Sequence, residues 1–109
     1  MPSPSNGLAA ACVLAAAAAA GLPAQAQDAQ ALYTRSLAAT CANCHGTDGR
    51  AVAGSAAVAL AGMPRERIVA QLQAFRSGAR PATVMQQLSK GYSDTQIEQI
   101  AAYFAAQKP

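Results

Sequence analysis

The residues of this chain best suited to chemistry are two thiols and an imidazole in the string Cys41-Ala42-Asn43-Cys44-His45. Two cysteines three positions apart, followed directly by a histidine, have the spacing of an attachment site for a c-type haem. At this spacing the two sulfurs can reach the two vinyl groups on one edge of a porphyrin and form thioethers. His45 then lies close to the iron and can supply its proximal nitrogen ligand. We therefore predict one haem c, bound covalently through Cys41 and Cys44.

The same two cysteines could serve other chemistry. A redox-active dithiol of the thioredoxin kind normally lies in an alternating strand and helix pattern, but no β-rich run precedes Cys41. A structural zinc ion needs four ligands, whereas the only further cysteine is Cys12 and the only histidine is His45. A disulfide between residues this close would close a very short loop and add little stability. Haem attachment is the favoured interpretation, and a dithiol–disulfide exchanger with free thiols is the alternative.

The first 26 residues differ in composition from the rest of the chain. Residues 8–22 form an apolar run rich in alanine, and residues 24–26 have the small-x-small pattern that a signal peptidase recognises. We predict that residues 1–26 are a cleaved export signal and that residues 27–109 form one domain in the periplasm. Residues 1–7 lack the Lys or Arg that usually begins such a signal. A retained anchor is the alternative, but about 15 apolar residues fall short of the roughly 20 that span a bilayer, so no stable membrane insertion is expected.

Charge and size narrow the range of partners. Eight basic and five acidic residues, all after residue 27, give a formal net charge of +3. This balance is too mild to indicate nucleic acid binding. Five of the basic residues lie in residues 65–90, where they could steer an acidic partner or belong to a solvated helix face. A domain this small commonly needs a covalent or metal staple, which an attached haem would supply.

Helical periodicity runs through the mature part and no convincing strand pattern occurs there, so the predicted fold class is all-α. Four helices are predicted: one over residues 28–40, one that begins at Pro64 and ends at Gly78, a short one over residues 83–89, and a last one capped by Ser93 and Asp94. Apolar residues recur at helical spacing at Ile68, Leu72, Phe75, Ile97, Ile100 and Phe104, and these are the predicted core. Residues 50–62, rich in small side chains, are predicted to form a loop at one edge of the haem.

This arrangement resembles the class I cytochromes c over nearly the whole of residues 27–109. In that family a first helix leads into the attachment motif, and a last helix that usually carries an aromatic pair packs across it; Tyr103 and Phe104 match that pair. Short strings also look like the haem subunit of flavocytochrome c sulfide dehydrogenase and, more loosely, one half of the di-haem cytochromes c4. These strings are residues 38–49, 60–62, 75–80, 83–85 and 90–94. The resemblance implies a small fold of helices packed around one haem, because a single attachment motif is present.

The sequence identifies the sixth ligand of the iron less clearly than it identifies the two thioether cysteines and the proximal histidine. With no second histidine in the sequence, a methionine thioether, a water or no ligand remains. A thioether raises the reduction potential, which suits an electron carrier. Met63 precedes a proline, as axial methionines often do, whereas Met85 lies in the stretch before the last helix, where class I cytochromes c keep this ligand. The resemblance therefore implies His45 and Met85 as the axial pair, with Met63 as the alternative.

The expected function follows from this site. With both axial positions filled, the iron offers no position to a substrate, so the chain is expected to carry single electrons between redox proteins without catalysis of its own. The resemblance to the sulfide dehydrogenase subunit implies an alternative, in which the chain accepts electrons from a flavoprotein subunit that oxidises sulfide. Arg80 and Tyr92 could each bond a haem propionate, although a surface position is the simpler expectation for both.

Overall fold

The computed structural model describes residues 22–109, and Tyr33–Pro109 form one compact unit. The α-helices of the described part are α1 (Leu22–Ala39), α2 (Ala42–His45), α3 (Arg65–Ser77), α4 (Val84–Lys90) and α5 (Asp94–Ala105). A short 3-10 turn at Thr47–Gly49 follows α2. Residues 22–109 contain no β-strand. The predicted all-α class is therefore confirmed.

The predicted export signal lies for the most part outside the described residues. Residues 22–26 belong to the first turns of α1, so this helix begins earlier than the predicted start at residue 28. Residues 24–27 are alanine and glutamine, which favour helix. The boundary at residue 27 stays a prediction. Within residues 22–109, no helix combines the length and the apolar character needed to cross a bilayer.

The later helices begin and end close to their predicted limits because local signals define them. Pro64 is the residue before α3, and the N–H of Gly78 bonds the carbonyl oxygen of Phe75 at 3.2 Å where that helix ends. At the start of α5 the Ser93 hydroxyl accepts the Gln96 N–H at 3.2 Å, and the Gln96 side chain accepts the Ser93 N–H at 3.0 Å. This reciprocal pair satisfies two backbone donors that a helix start otherwise leaves unbonded.

The core forms where α3 packs against α5 and against α4. Its buried members come from α1, α3 and α5, and they are Ala38, Ile68, Leu72, Ile97, Ile100, Ala101 and Phe104. Phe75 is also a predicted core residue, but it is only half-buried. It follows Ile68 and Leu72 on the same stripe of α3, and it lies further along the helix, where that stripe faces a cavity.

Residues 50–62 form the predicted loop, and backbone hydrogen bonds hold it against the rest of the domain. The Gly49 carbonyl accepts the N–H groups of Leu60 and Ala61 at 2.8 and 3.1 Å, and the Gly62 N–H donates to the Phe104 carbonyl at 2.9 Å. The loop is thereby fastened both to the turn after α2 and to the end of α5. It can therefore act as one wall of a site even though it has no helix or strand of its own.

Candidate cofactor site

A cavity of about 500 Å³ brings the predicted site residues together. Cys41, Cys44, His45 and Met85 all line it, and so does Met63. Much of the remaining wall is apolar and is formed by the loop and by α3 and α5, through Ala57, Val58, Leu60, Ile68, Leu72, Phe75, Ile100 and Phe104. An apolar cavity with a few polar groups at defined places is the usual form of a cofactor site.

The backbone of α2 explains why both thiols point into one cavity. The N–H groups of Cys44 and His45 donate to the Cys41 carbonyl at 3.4 and 2.9 Å, which makes a single helical turn. Residues three apart on such a turn lie on the same face. Gly46 follows with φ +81° and ψ 162°, and a Cβ atom there would lie 1.9 Å from the Arg50 carbonyl oxygen. Only glycine can therefore lead the chain away directly after His45.

The state of the two cysteines does not favour dithiol chemistry. Cys41 is half-buried, Cys44 is exposed, and the two do not form a disulfide with each other. Burial raises the pKa of the Cys41 thiol and outweighs its hydrogen bond with Thr40, while the nearby Cys44 raises that pKa further. The reactive cysteine of a dithiol–disulfide exchanger has a lowered pKa, because the thiolate is the nucleophile. A raised pKa at Cys41 is the opposite of what that chemistry needs at this residue.

The imidazole of His45 is oriented by the loop. Its Nδ1 atom lies 2.6 Å from the carbonyl oxygen of Val58, which can only accept a hydrogen bond. Nδ1 must therefore carry the hydrogen, and in the neutral ring the lone pair then lies on Nε2. Histidines that ligate metals commonly donate their second ring N–H to a carbonyl or carboxylate in this way. Val58 was not singled out in the sequence, because no local signal relates it to a histidine thirteen residues earlier.

Two methionine thioethers reach the same cavity. Met63 lies in the turn before α3, where its N–H bonds the Leu60 carbonyl at 3.1 Å. Met85 lies in the first turn of α4. Both side chains are half-buried and pack against the core. Each is a candidate for the position opposite His45, and the preference for Met85 stays a prediction.

Four of the five basic residues in the stretch 65–90 divide into two groups. Arg65 and Arg76 pair with Glu98 and Asp94 on α5, the first at 2.6 Å. Arg67 and Arg80, by contrast, line the cavity and are the charged side chains in its wall.

Arg80 is held in place at the cavity by two contacts. Its guanidinium carbon lies 4.8 Å from the centroid of the Phe75 ring, and its NH1 group donates to the Gln71 side chain. A guanidinium bonds carboxylates well, so this side of the cavity suits the acidic groups of a ligand. The expectation of a plain surface position for Arg80 is thus refined: the residue is exposed, and it faces the cavity.

These residues together fit a covalently attached porphyrin. The thiols of Cys41 and Cys44 project from one turn, and the Nε2 atom of His45 is available beside them. The apolar wall suits the flat ring, and the two arginines suit its carboxylates. The donor set is that of an iron porphyrin with one or two axial protein ligands.

Comparisons with known proteins agree with this chemistry. Residues 24–104 match the protein family described as cytochrome c oxidase, cbb3-type, subunit III. A thiosulfate dehydrogenase electron acceptor of Stutzerimonas stutzeri is 37% identical over 89 residues, covering 78% of this chain and 41% of that protein. The cytochrome subunit of sulfide dehydrogenase of Chlorobaculum tepidum is 41% identical over 68 residues, covering 62% of this chain and 60% of that protein. The chain therefore spans about half the length of these two relatives.

A third relative matches over most of its own length. Cytochrome c-554(548) of Halomonas halodenitrificans is 36% identical over 72 residues, which cover 63% of this chain and 86% of that protein. The similarity thus extends to a protein of comparable size.

Proposed function

The chain belongs to the class I cytochrome c family, and on that premise we propose that residues 27–109 are a periplasmic electron carrier with one haem c bound through Cys41 and Cys44. Members of this family carry electrons by means of haem. The observation that carries the proposal is the convergence of two thiols and the Nε2 atom of His45 on one apolar cavity.

The residues around the cavity have distinct tasks in this proposal. When bound, the haem supplies a one-electron couple between ferric and ferrous iron. His45 holds the iron through Nε2, and the Val58 carbonyl fixes the orientation of the imidazole. Cys41 and Cys44 anchor the ring edge through sulfur. Arg67 and Arg80 balance the carboxylates at the cavity wall.

Met85 is proposed as the second axial ligand. It stands in α4, within the stretch before the last helix, where class I cytochromes c keep their axial methionine, and its side chain lines the cavity. A neutral thioether favours ferrous iron and raises the reduction potential. The apolar side chains around the site limit access of water, which also influences the potential. With His45 and Met85 both holding the iron, the site would be suited to electron transfer and not to binding a substrate.

The test is an absorption spectrum of the exported protein in its oxidised and reduced forms, followed by extraction with acid and acetone. We expect a sharp reduced α-band and colour that stays with the protein, because thioether bonds survive this extraction. A colourless protein with two titratable thiols at Cys41 and Cys44 would reject the proposal. The first residue of the periplasmic form, expected to be Gln27, tests the export signal independently.

A second candidate makes the chain a permanent subunit of a sulfide-oxidising flavoprotein. The observation in its favour is the 41% identity to the cytochrome subunit of sulfide dehydrogenase. Co-purification of the native chain tests the assembly: a stable flavoprotein complex supports this candidate, and a free monomer supports the separate carrier. In this candidate the flavoprotein should accelerate reduction of the haem by sulfide. Sulfide without the flavoprotein is the control, because sulfide can also reduce a haem directly.

A further inference from the structure

A hydrogen bond joins two hydroxyl groups across the wall of the cavity. Thr40, directly before Cys41, and Tyr92, in the turn between α4 and α5, both line the cavity, and their side-chain oxygens lie 2.7 Å apart. The Thr40 hydroxyl already donates to the Leu37 carbonyl at 2.7 Å. Because a hydroxyl has one hydrogen to donate, the Tyr92 hydroxyl must be the donor to Thr40. The direction of both bonds is therefore defined: Tyr92 donates to Thr40, and Thr40 donates to the Leu37 carbonyl in α1.

Tyr92 itself is fixed from two other sides. Its ring packs against the buried core, and its carbonyl oxygen accepts NH1 of Arg76 at 3.2 Å. The same guanidinium also pairs with Asp94 and donates to Gln73 at 2.6 Å. The turn that follows α4 is thus anchored to α3 and to the start of α5. A bond from Tyr92 to Thr40 connects this anchored turn with the residue that precedes the attachment motif.

Other side-chain bonds also tie the first part of the domain to α5, but they lie elsewhere. Gln96 donates to the Tyr33 hydroxyl at 2.9 Å, and Tyr103 donates to Asp48 at 2.5 Å. None of these four residues lines the cavity. Within the described residues, the main helix partner of α4 is α3. The bond between Tyr92 and Thr40 is therefore placed to hold the α4 side of the cavity close to its attachment side.

We propose that Tyr92 and Thr40 are positioning residues whose hydrogen bond keeps α4, with Met85, closed over the haem site and so hinders outside ligands from reaching the iron. This inference rests on the proposed function, because it needs a haem in the cavity with Met85 as its ligand. The two residues act through α4 and not on the iron. Loss of the bond raises the population of an open form in which Met85 has left the iron, and a ligand that binds only that form reports the change.

Imidazole binding to the ferric holoprotein measures this population. Imidazole forms an iron–nitrogen bond as the iron–sulfur bond to Met85 breaks, with no change in oxidation state. Tyr92→Phe and Thr40→Val each remove one hydroxyl, and each should raise the apparent affinity for imidazole about threefold to tenfold, the range that corresponds to one net hydrogen bond. The double variant should resemble either single variant, because both substitutions remove the same bond.

Two matched variants separate the proposed role from a general loss of stability. Thr40→Ser keeps the accepting hydroxyl and should bind imidazole like the wild type. Tyr33→Phe removes a hydroxyl that bonds Gln96 outside the cavity, and it should also leave imidazole affinity unchanged. The midpoint of urea unfolding, measured for all variants, reports any global effect. If the Tyr92 hydroxyl only stabilised the fold, Tyr33→Phe and Tyr92→Phe would have similar imidazole affinities and similar midpoints of urea unfolding.

The outcomes distinguish this inference from the proposed function. A wild-type protein without covalent haem, or without the absorption band of a methionine–iron bond, rejects the proposed ligation and this inference with it. A wild type that has both, with imidazole affinity unchanged in Tyr92→Phe and in Thr40→Val, rejects the positioning role alone. Should the phenylalanine variant fail to accumulate, Thr40→Val with Thr40→Ser as its control decides the question in the same way.

Discussion

The Nδ1 atom of His45 donates a hydrogen bond to the carbonyl oxygen of Val58 over 2.6 Å. The orientation of the imidazole therefore depends on the loop of residues 50–62 and not on α2 alone. That loop is fastened in turn by the bonds from Leu60 and Ala61 to Gly49. A backbone acceptor has the advantage that its position is set by the fold and not by a side-chain rotamer. Changes that displace this loop are expected to alter the ligation of the iron as well as stability.

The axial ligand can be identified by a pair of substitutions. Met85→Ala is expected to abolish the methionine–iron absorption band of the ferric protein and to lower its reduction potential, because the thioether favours ferrous iron. Met63→Ala should keep the band and the potential, and should lower the free energy of unfolding by about 1–2 kcal/mol, since only a half-buried thioether is removed. Absorption spectra and redox titrations check both variants. The reverse pattern would assign the ligand to Met63.

The covalent attachment is tested through the cysteines. Cys41→Ser and Cys44→Ser should each leave one thioether and shift the reduced α-band, because one vinyl group stays conjugated with the ring. The double variant should lose all haem to acid and acetone. Intact mass after extraction provides the measurement. Cys12→Ser is the matched control. If the export signal is removed, the mature protein lacks residue 12 and its mass should equal that of the wild type. A mass that differs by the replacement of one sulfur with one oxygen would contradict cleavage.

Gly46 and Gly54 provide a matched pair for the backbone around the site. Both have positive φ, at +81° and +82°, but a Cβ atom at Gly46 would meet the Arg50 carbonyl at 1.9 Å, whereas at Gly54 nothing lies within 4 Å. Gly54→Ala should lower the free energy of unfolding by about 1 kcal/mol through backbone strain alone. Gly46→Ala should prevent accumulation of protein loaded with haem. Equal yields of the two variants, measured by absorbance in the periplasmic fraction, would contradict this expectation.

The bond between Tyr103 and Asp48 predicts a dependence of stability on pH. This bond is the main reason why the pKa of the Asp48 carboxyl lies below its ordinary value, and the charge of Arg50 lowers that pKa further. Because the pKa is lower in the folded state, the contribution to stability is complete above the unfolded pKa of about 3.9 and is lost as the pH falls through the folded pKa. The bond also raises the pKa of the Tyr103 hydroxyl, so its contribution declines again as the pH rises above about 10.

Tyr103→Phe should therefore be less stable than the wild type at neutral pH, and the difference should shrink below about pH 4 and above about pH 10. Urea unfolding at a series of pH values measures it. Asp48→Asn serves as the partner variant: its effect should be smaller in the Tyr103→Phe background than in the wild type, and the part that stays reflects the ion pair of Asp48 with Arg50. Parallel pH profiles for the wild type and Tyr103→Phe would show that this bond does not link stability to pH.

The local elements of the fold could be predicted from the sequence because their signals are local. Pro64, Gly78 and the Ser93–Gln96 capping pair lie within a few residues of the helix ends that they define. The apolar stripes on α3 and α5 follow from helical periodicity. The predicted start of α1 is too late because the interpretation of residues 1–26 as an export signal leaves out residues 24–26, although their composition also favours helix.

The sequence by itself also contains the motif on which the proposed haem attachment rests, because two thiols and an imidazole in one turn of chain need no distant residue to be recognised. Tertiary structure alone decided what surrounds them. It placed the Val58 carbonyl against His45, paired Tyr92 with Thr40, and turned Arg80 toward the cavity while Arg76 pairs with Asp94. These contacts join residues far apart in the chain, and their distances depend on how the helices pack. No spacing along the sequence carries that information.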